Sequence, residues 1–388
     1  MNVKSENSGP IAQTSVIQRF DALDGLRGLA ALVVVIGHFW PFQDFKSLPI
    51  INIFMDTKLP VAIFFVLSGV VLSHSARNFQ KNTSWLAFVL ISRYVRLLIP
   101  ILAITLLVTV LYLSGFILVD SLPGSYSEWS GYKVFYQFSL EWINALQFST
   151  LDVFFNYNPE KTYIPPSWTM RPELFASTLL FSFLFLLSFL RLENIPVLLF
   201  VPAAIIIFFT KDFLPGVYYF GYFLMGFVIY KVYMVKGVNS KVGFGLLFFV
   251  LLIKTMLYFY SIKGLFIDLV FASCIVTVIL FSSKVQELLA NRVFIWLGKI
   301  SFPLYLVHVP LYCSLGMFNF IMLDSLGINV SLGWAINFVI TLSICLLVAH
   351  LLTFVDSGTL KIIRIIKSKF GLSYSPYVQS NYQGQVVK

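Results

Sequence analysis

Charge is what this sequence has least of. Only 11% of its 388 residues are charged, against 59% that are hydrophobic. A soluble domain of this length needs a polar shell, and that balance excludes one. Cysteine is also scarce. Cys274, Cys313 and Cys345 all lie in apolar runs, with neither a disulfide framework nor metal-ligand spacing, so they read as packing residues and no metal is expected. The amino end lacks the short apolar core and small-residue cleavage site of a removable signal, so the first span is expected to direct insertion itself. The net charge of +10 would suggest nucleic acid in a soluble protein. Here the basic residues sit at the ends of apolar runs, where they set topology, and no nucleic-acid partner is expected.

What the chain has in abundance is apolar length, with 41 phenylalanines. Long hydrophobic runs recur almost throughout, which predicts an all-α, polytopic transmembrane helical bundle with the lipid bilayer as its solvent. The runs place ten spans at about 24–42, 59–75, 97–119, 173–190, 195–210, 214–233, 243–260, 264–282, 301–323 and 333–356. Counting from a cytoplasmic start, the inner segments carry Lys4 and Arg19, then Arg77, Lys81, Arg93 and Arg96, then Arg191, Lys231, Lys236, Lys241, Lys284, Arg292 and Lys299, and finally Lys361, Arg364, Lys367 and Lys369. The opposite segments are poor in Lys and Arg and hold Asp44, Asp56, Asp120, Glu128, Glu141, Asp152 and Glu160. That asymmetry, with an even span count, puts both termini in the cytoplasm. The organisation expected is a polar tail over 1–19, a membrane domain over 20–356 and a basic, polar tail over 357–388, with no attached soluble domain. The longest outer segment, 120–171, is rich in Ser, Tyr, Trp and Asn, which suits both sugar surfaces and the membrane interface.

The chemistry is concentrated in a few stretches. Leu23 to Trp40 is apolar except for Asp24, Arg27 and His38. Eleven residues are about three helical turns, so Arg27 and His38 share a face roughly 16 Å apart along the axis. Phe64 to Gly69 (FFVLSG) sets small Ser68 and Gly69 in the second span, where a helix or a ligand can approach closely. Arg93 and Arg96 lie on one face at the start of the third span, near His74, Arg77 and Lys81, and suit an anion carrying phosphates. Pro165 to Glu173 (PPSWTMRPE) opens the fourth span, with Glu173 in its first turn. Ser301 to His308 (SFPLYLVH) opens the ninth, with Tyr305 and His308 on one face. Taken singly, each of these also fits a bland role: snorkelling arginines, a dipole-capping glutamate, an interfacial tyrosine or a packed histidine. His350 is assigned no role.

Together and in this order, these stretches resemble the acyltransferase-3 family of integral-membrane acyltransferases. Its hallmark, an arginine, ten residues and a histidine in the first span, is matched by Arg27 and His38 within LDGLRGLAALVVVIGH. FFVLSG, RYVRLLIP at 93–100, SWTMRPE at 167–173 and SFPLYLVH at 301–308 match its later motifs, so the resemblance runs from about residue 20 to 356. The chain departs from the family pattern around Glu173, where Thr169-Met170 and Phe175-Ala176 stand. The resemblance implies transfer of an acyl group, usually acetyl from cytoplasmic acetyl-CoA, to a hydroxyl of a cell-surface carbohydrate or lipid-linked glycan. The absence of an extra soluble domain favours lipopolysaccharide O-antigen or an exopolysaccharide over peptidoglycan. A small-molecule acceptor is an alternative. A multi-pass protein of the bacterial inner membrane is implied. His38 is then the expected general base, with Arg27 near the donor end of a tunnel and Glu173 orienting the acceptor. Arg93, Arg96, Ser68, Gly69, Tyr305 and His308 are expected around the acyl-CoA.

A reading from another class is a secondary transporter or a flippase of a lipid-linked sugar, whose path Arg27 and His38 would line. Transporters of that kind often carry internal repeats, and none is visible here.

Overall fold

The computed structural model describes residues 10–39, 57–78, 83–192, 195–210, 216–237, 243–260, 262 and 264–370. Among them every regular element is helical and there is no strand. The main helices are α1 (Pro10–Phe39), α2 (Lys58–Ser75), α3 (Thr83–Leu113), α4 (Met170–Phe189), α5 (Phe200–Phe209), α6 (Tyr219–Lys236), α7 (Phe244–Phe259), α8 (Leu265–Phe281), α9 (Ser283–Leu289), α10 (Arg292–Leu311), α11 (Met317–Ser325) and α12 (Val330–Lys369). A helix underlies each of the ten apolar segments. Six helical stretches among the described residues are long and apolar enough to cross a membrane, or seven if α8 and α9, bent by 96°, form one broken span. Apolar side chains such as Phe248 and Phe249 of α7 and Leu347, Leu351 and Phe354 of α12 face outward, as lipid-facing surfaces do.

Helix ends differ from the hydrophobic runs at informative places. The third span was expected to begin near residue 97, but α3 begins at Thr83, and Arg93 lies well inside it. The arginines read as an end marker; Arg93 does not mark an end because it pairs with Glu173, which satisfies its charge away from water. At the other end of the chain, α12 continues past residue 356 to Lys369 as one helix of 40 residues, so part of the expected basic tail is helical. The 120–171 segment, expected as an outer loop, is more than a loop. Its middle doubles back along α3, where the Tyr94 hydroxyl donates to the carbonyl of Thr150 at 2.6 Å and the Tyr94 and Phe154 rings are 5.2 Å apart. At 1.5 Å per residue, Tyr94 lies roughly 28 Å short of the end of α3 at Leu113. Along this stretch Trp142, Ile143, Leu146, Leu151 and Phe155 present apolar surface outward, as the apolar helices beside it do.

The core is organised by two close helix crossings. At the first, α1 and α10 run side by side. A Cβ on Gly28 would meet Gly298 N at 2.4 Å, and one on Gly298 would meet Asp24 O at 2.3 Å. At the second, a Cβ on Gly69 of α2 would lie 2.3 Å from Phe223 O of α6, and one on Gly226 would lie 2.3 Å from Val66 O. These obstacles are backbone atoms, which cannot swing aside, so glycine sets the interhelical distance. Gly28→Ala should therefore lower the unfolding midpoint of the detergent-solubilised protein, with an overpacking cost of about 1–3 kcal/mol. Gly124→Ala, where an added Cβ meets nothing within 4 Å, should leave it unchanged. Equal midpoints for the two variants would refute the close approach of α1 to α10.

Candidate active site

The last described turn of α1 is packed in protein, and three of its carbonyls take side-chain donors. Three aromatic side chains supply them. Tyr312 OH donates to Val35 O at 2.6 Å, Trp129 Nε1 donates to Phe39 O at 2.9 Å, and Tyr132 OH donates to His38 O. Burial pushes the Tyr132 phenol well above its ordinary range, so it remains a protonated donor. The Phe39 ring is fully buried, edge-on to Trp129 at 5.0 Å and to Phe338 at 5.1 Å. The end of α1 is thereby locked, and with it the ring of His38.

The His38 ring meets a second imidazole. His308 Nε2 and His38 Nδ1 are 3.1 Å apart, and His308 Nδ1 lies 3.3 Å from the carbonyl of Leu304. A carbonyl only accepts, so Nδ1 of His308 carries the proton when the ring is neutral, and its Nε2 offers a lone pair. His38 Nδ1–H then donates to that lone pair. The basic lone pair of His38 is left on Nε2. His308 is fully buried, whereas His38 lines a cavity of about 350 Å³ together with Lys58, Phe65, Tyr132, Trp168, Tyr219, Tyr222, Asp268 and Tyr305.

One helical turn along α2 from Phe65 lies a polar network. Glu173 accepts from Arg93 Nη2 and from Ser68 Oγ at 2.7 Å, while Arg93 Nε donates to Ser177 Oγ at 3.3 Å. Arg93 and Glu173 are 14% and 12% exposed. Arg27 and Arg96 act electrostatically on Arg93, so three guanidinium groups gather on the Asp24 side of the bundle. Arg27 also pairs with Asp24 at 2.7 Å, and Arg96 is exposed.

Placed against expectation, the residues sort into three groups. His38 and Tyr305 line the cavity, and His308 stands behind His38. There the Tyr305 hydroxyl donates to Pro166 O at 3.1 Å and accepts from Thr169 Oγ1 at 3.2 Å. Arg93, expected on the donor side, and Glu173, expected on the acceptor side, are partners in one ion pair, with Ser68 attached. Gly69 sits in the α2–α6 crossing. The reading by motif missed Lys254 and Asp268, a buried ion pair of which Asp268 lines the cavity. A signal for them was present: a lone cation and a lone anion of opposite sign inside successive apolar runs. Among the described residues, no group of three or more His, Cys, Asp or Glu side chains is placed to hold a metal ion.

Comparison with known proteins accords with this geometry. The acyltransferase domain of the acyltransferase-3 family matches residues 20–350. The chain is also similar to O-acetyltransferase PaAT-1 of Phomopsis amygdali, 32% identical over 102 residues, which are 21% of this chain and 20% of that protein. The chain thus spans about a fifth of the length of the relative it matches. No solved structure matches it. With its motifs gathered on one helical membrane scaffold and the match running over most of its length, this chain belongs to the acyltransferase-3 family of acyltransferases.

Proposed function

We propose that this protein is a membrane O-acetyltransferase that moves an acetyl group from cytoplasmic acetyl-CoA to a hydroxyl of a cell-surface carbohydrate, such as lipopolysaccharide O-antigen or exopolysaccharide, in a bacterial inner membrane. The observation that carries the reading is the His38–His308 pair, of which His38 lines the cavity. The acceptor hydroxyl binds in the cavity and gives its proton to His38 Nε2 as its oxygen attacks the thioester carbonyl carbon. A C–O bond forms, the C–S bond breaks, and the proton passes from His38 to the departing CoA thiolate. His308 is a positioning residue here rather than a donor contact: it holds the tautomer that leaves Nε2 basic, as the buried orienting group does in catalytic triads. Arg96 and Arg27 offer guanidinium groups to the CoA phosphates. Arg93 gives two donors to Glu173 and Ser177, and its remaining N–H groups point the same role to it. Both termini are cytoplasmic in this reading, which follows the Lys/Arg asymmetry.

His38→Ala should leave expression and CoA binding near wild type while transfer from radiolabelled acetyl-CoA falls by about two to four orders of magnitude. His38→Gln should fail equally, and a His38→Gln enzyme of near wild-type rate would remove His38 from the mechanism. His308→Leu should also lower the rate. His308→Gln, whose side-chain oxygen accepts from His38 Nδ1–H, should recover part of it, and equal rates for the two variants would refute the positioning role.

For the donor, Arg96→Ala should weaken CoA affinity measured by calorimetry with normal folded yield. Arg93→Ala should reduce the yield itself, because Glu173 is left buried without its cation. Unchanged CoA affinity in Arg96→Ala would make Arg96 an anchor only. For topology, in a Cys274→Ser background, a membrane-impermeant thiol reagent applied to intact cells should label Ser127→Cys and not Glu287→Cys. The reverse pattern would invert the orientation.

A further inference from the structure

A buried polar cluster stands apart from the cavity, where α11 and α12 meet. Asn337 and Thr341 of α12 are fully buried. Thr341 Oγ1 donates to Asn337 Oδ1 at 2.7 Å, and Asn319 Nδ2 of α11 donates to the same oxygen at 3.0 Å. On its other side, Asn337 Nδ2 donates to the carbonyl of Gly316 at 3.0 Å. A carbonyl only accepts, so Gly316 fixes which way the Asn337 amide points. Buried polar groups cost free energy unless they are bonded, and an apolar side chain avoids that cost. A satisfied polar network inside an apolar bundle instead specifies one arrangement.

The arrangement specified here is a π turn. Tyr312–Gly316, between α10 and α11, winds more widely than an α-helix, and single turns of this kind are found mostly at functional sites. Two of its carbonyls are held from outside. Cys313 O accepts from the backbone N–H of Leu118 at 2.9 Å, and Gly316 O accepts from Asn337. The turn carries the groups that lock His38. Tyr312 donates to Val35 O at 2.6 Å, and its ring stands edge-on to His308 at 5.6 Å. Trp129, which donates to Phe39 O, lies so close to Gly316 that an added Cβ would come within 2.9 Å of its ring. A shift of the turn would move both.

We infer that Asn337 is a positioning residue for the transfer reaction. By holding Gly316 O it sets the π turn that aims Tyr312 and Trp129 at the end of α1, and so keeps the His38 ring on His308. The inference rests on the reading of His38 as the base. Asn337 touches neither donor nor acceptor in that reading, and acts on turnover through the placement of the imidazole. A displacement of about 1 Å, caused far from the chemistry, can cost about a hundredfold in rate.

The test compares two leucine variants of the full chain. Asn337→Leu removes the hold on Gly316. Asn319→Leu removes a bond to the same Asn337 oxygen but leaves that hold in place. In membranes of cells expressing each variant, the rate of label incorporation from radiolabelled acetyl-CoA into envelope carbohydrate is read per folded molecule at saturating donor. Asn337→Leu should lower it about ten- to a hundredfold, with the KM for acetyl-CoA unchanged, and Asn319→Leu should stay near wild type. Tyr312→Phe should also lower the rate. Combined with Asn337→Leu it should cost less than the product of the two single losses, because both act along one path. A second readout is independent of turnover: magic-angle-spinning NMR of protein 15N-labelled at its four histidines. Wild type and Asn319→Leu should show His38 protonated and hydrogen-bonded at Nδ1, and Asn337→Leu should lose that signature. If Asn337→Leu does not fold, Asn337→Ala, which also lacks the donor but is smaller, should show the same losses. An unchanged rate or an unchanged His38 signal in the Asn337 variant, or equal losses in the Asn337 and Asn319 variants, overturns the assignment. Wild-type protein that shows the His38 signal, loses it in the Asn337 variant and yet incorporates no label would overturn the transfer reading while leaving the hold of Asn337 on the His38 ring in place.

Discussion

The seam between α1 and α10 is the constraint on which the rest of the site depends. Gly28 and Gly298 let the two helices approach until backbone meets backbone. That approach, held along both helices, brings His38 and His308 to 3.1 Å. A side chain at either glycine would push the helices apart and separate the imidazoles. The same seam is closed at its far end by Trp129, Tyr132 and Tyr312, which take the carbonyls of Phe39, His38 and Val35. These three hydrogen bonds to the backbone around His38 also immobilise the proposed base.

Low dielectric governs the charges in the same way. Arg93 is with Glu173 and Lys254 with Asp268. Each pair ties two helices together, and each spends charge that an isolated group could not keep in such surroundings. The Arg93–Glu173 pair joins α3 to α4 and, through Ser68, to α2. It therefore braces the helices just beyond the cavity. In the proposed mechanism, the pair separates a guanidinium-rich side that receives an anionic donor from an aromatic cavity that receives a neutral acceptor.

The 119–169 segment completes that cavity. Pro165, Pro166 and Trp168 form part of its wall, as do Tyr132 and Phe135. Tyr305 fastens this wall to α10 through Pro166 O and Thr169. The stretch thus both roofs the cavity and, over residues 142–155, packs down the side of α3.

Composition and hydrophobic length by themselves determined the helical membrane class, because apolar runs of about twenty residues suit helices, which satisfy their own backbone in lipid, and are too long for barrel strands. The apolar runs also located a helix for every expected segment, and motif order identified Arg27, His38, Ser68, Arg93, Arg96, Glu173, Tyr305 and His308 as the residues to watch. Spacing along one helix put Arg27 and His38 on one face, since that relation is local and periodic. Which helix supplies a partner is not local. That His308 faces His38, that Arg93 neutralises Glu173, and that Asp268 reaches the cavity ahead of Lys254 were decided only by tertiary packing. Helix ends followed the same division. The start of α3 at Thr83 depended on a counter-ion some eighty residues away in sequence. A charge looks like a terminus until its partner is known, and pairing across helices is a property of the folded bundle alone.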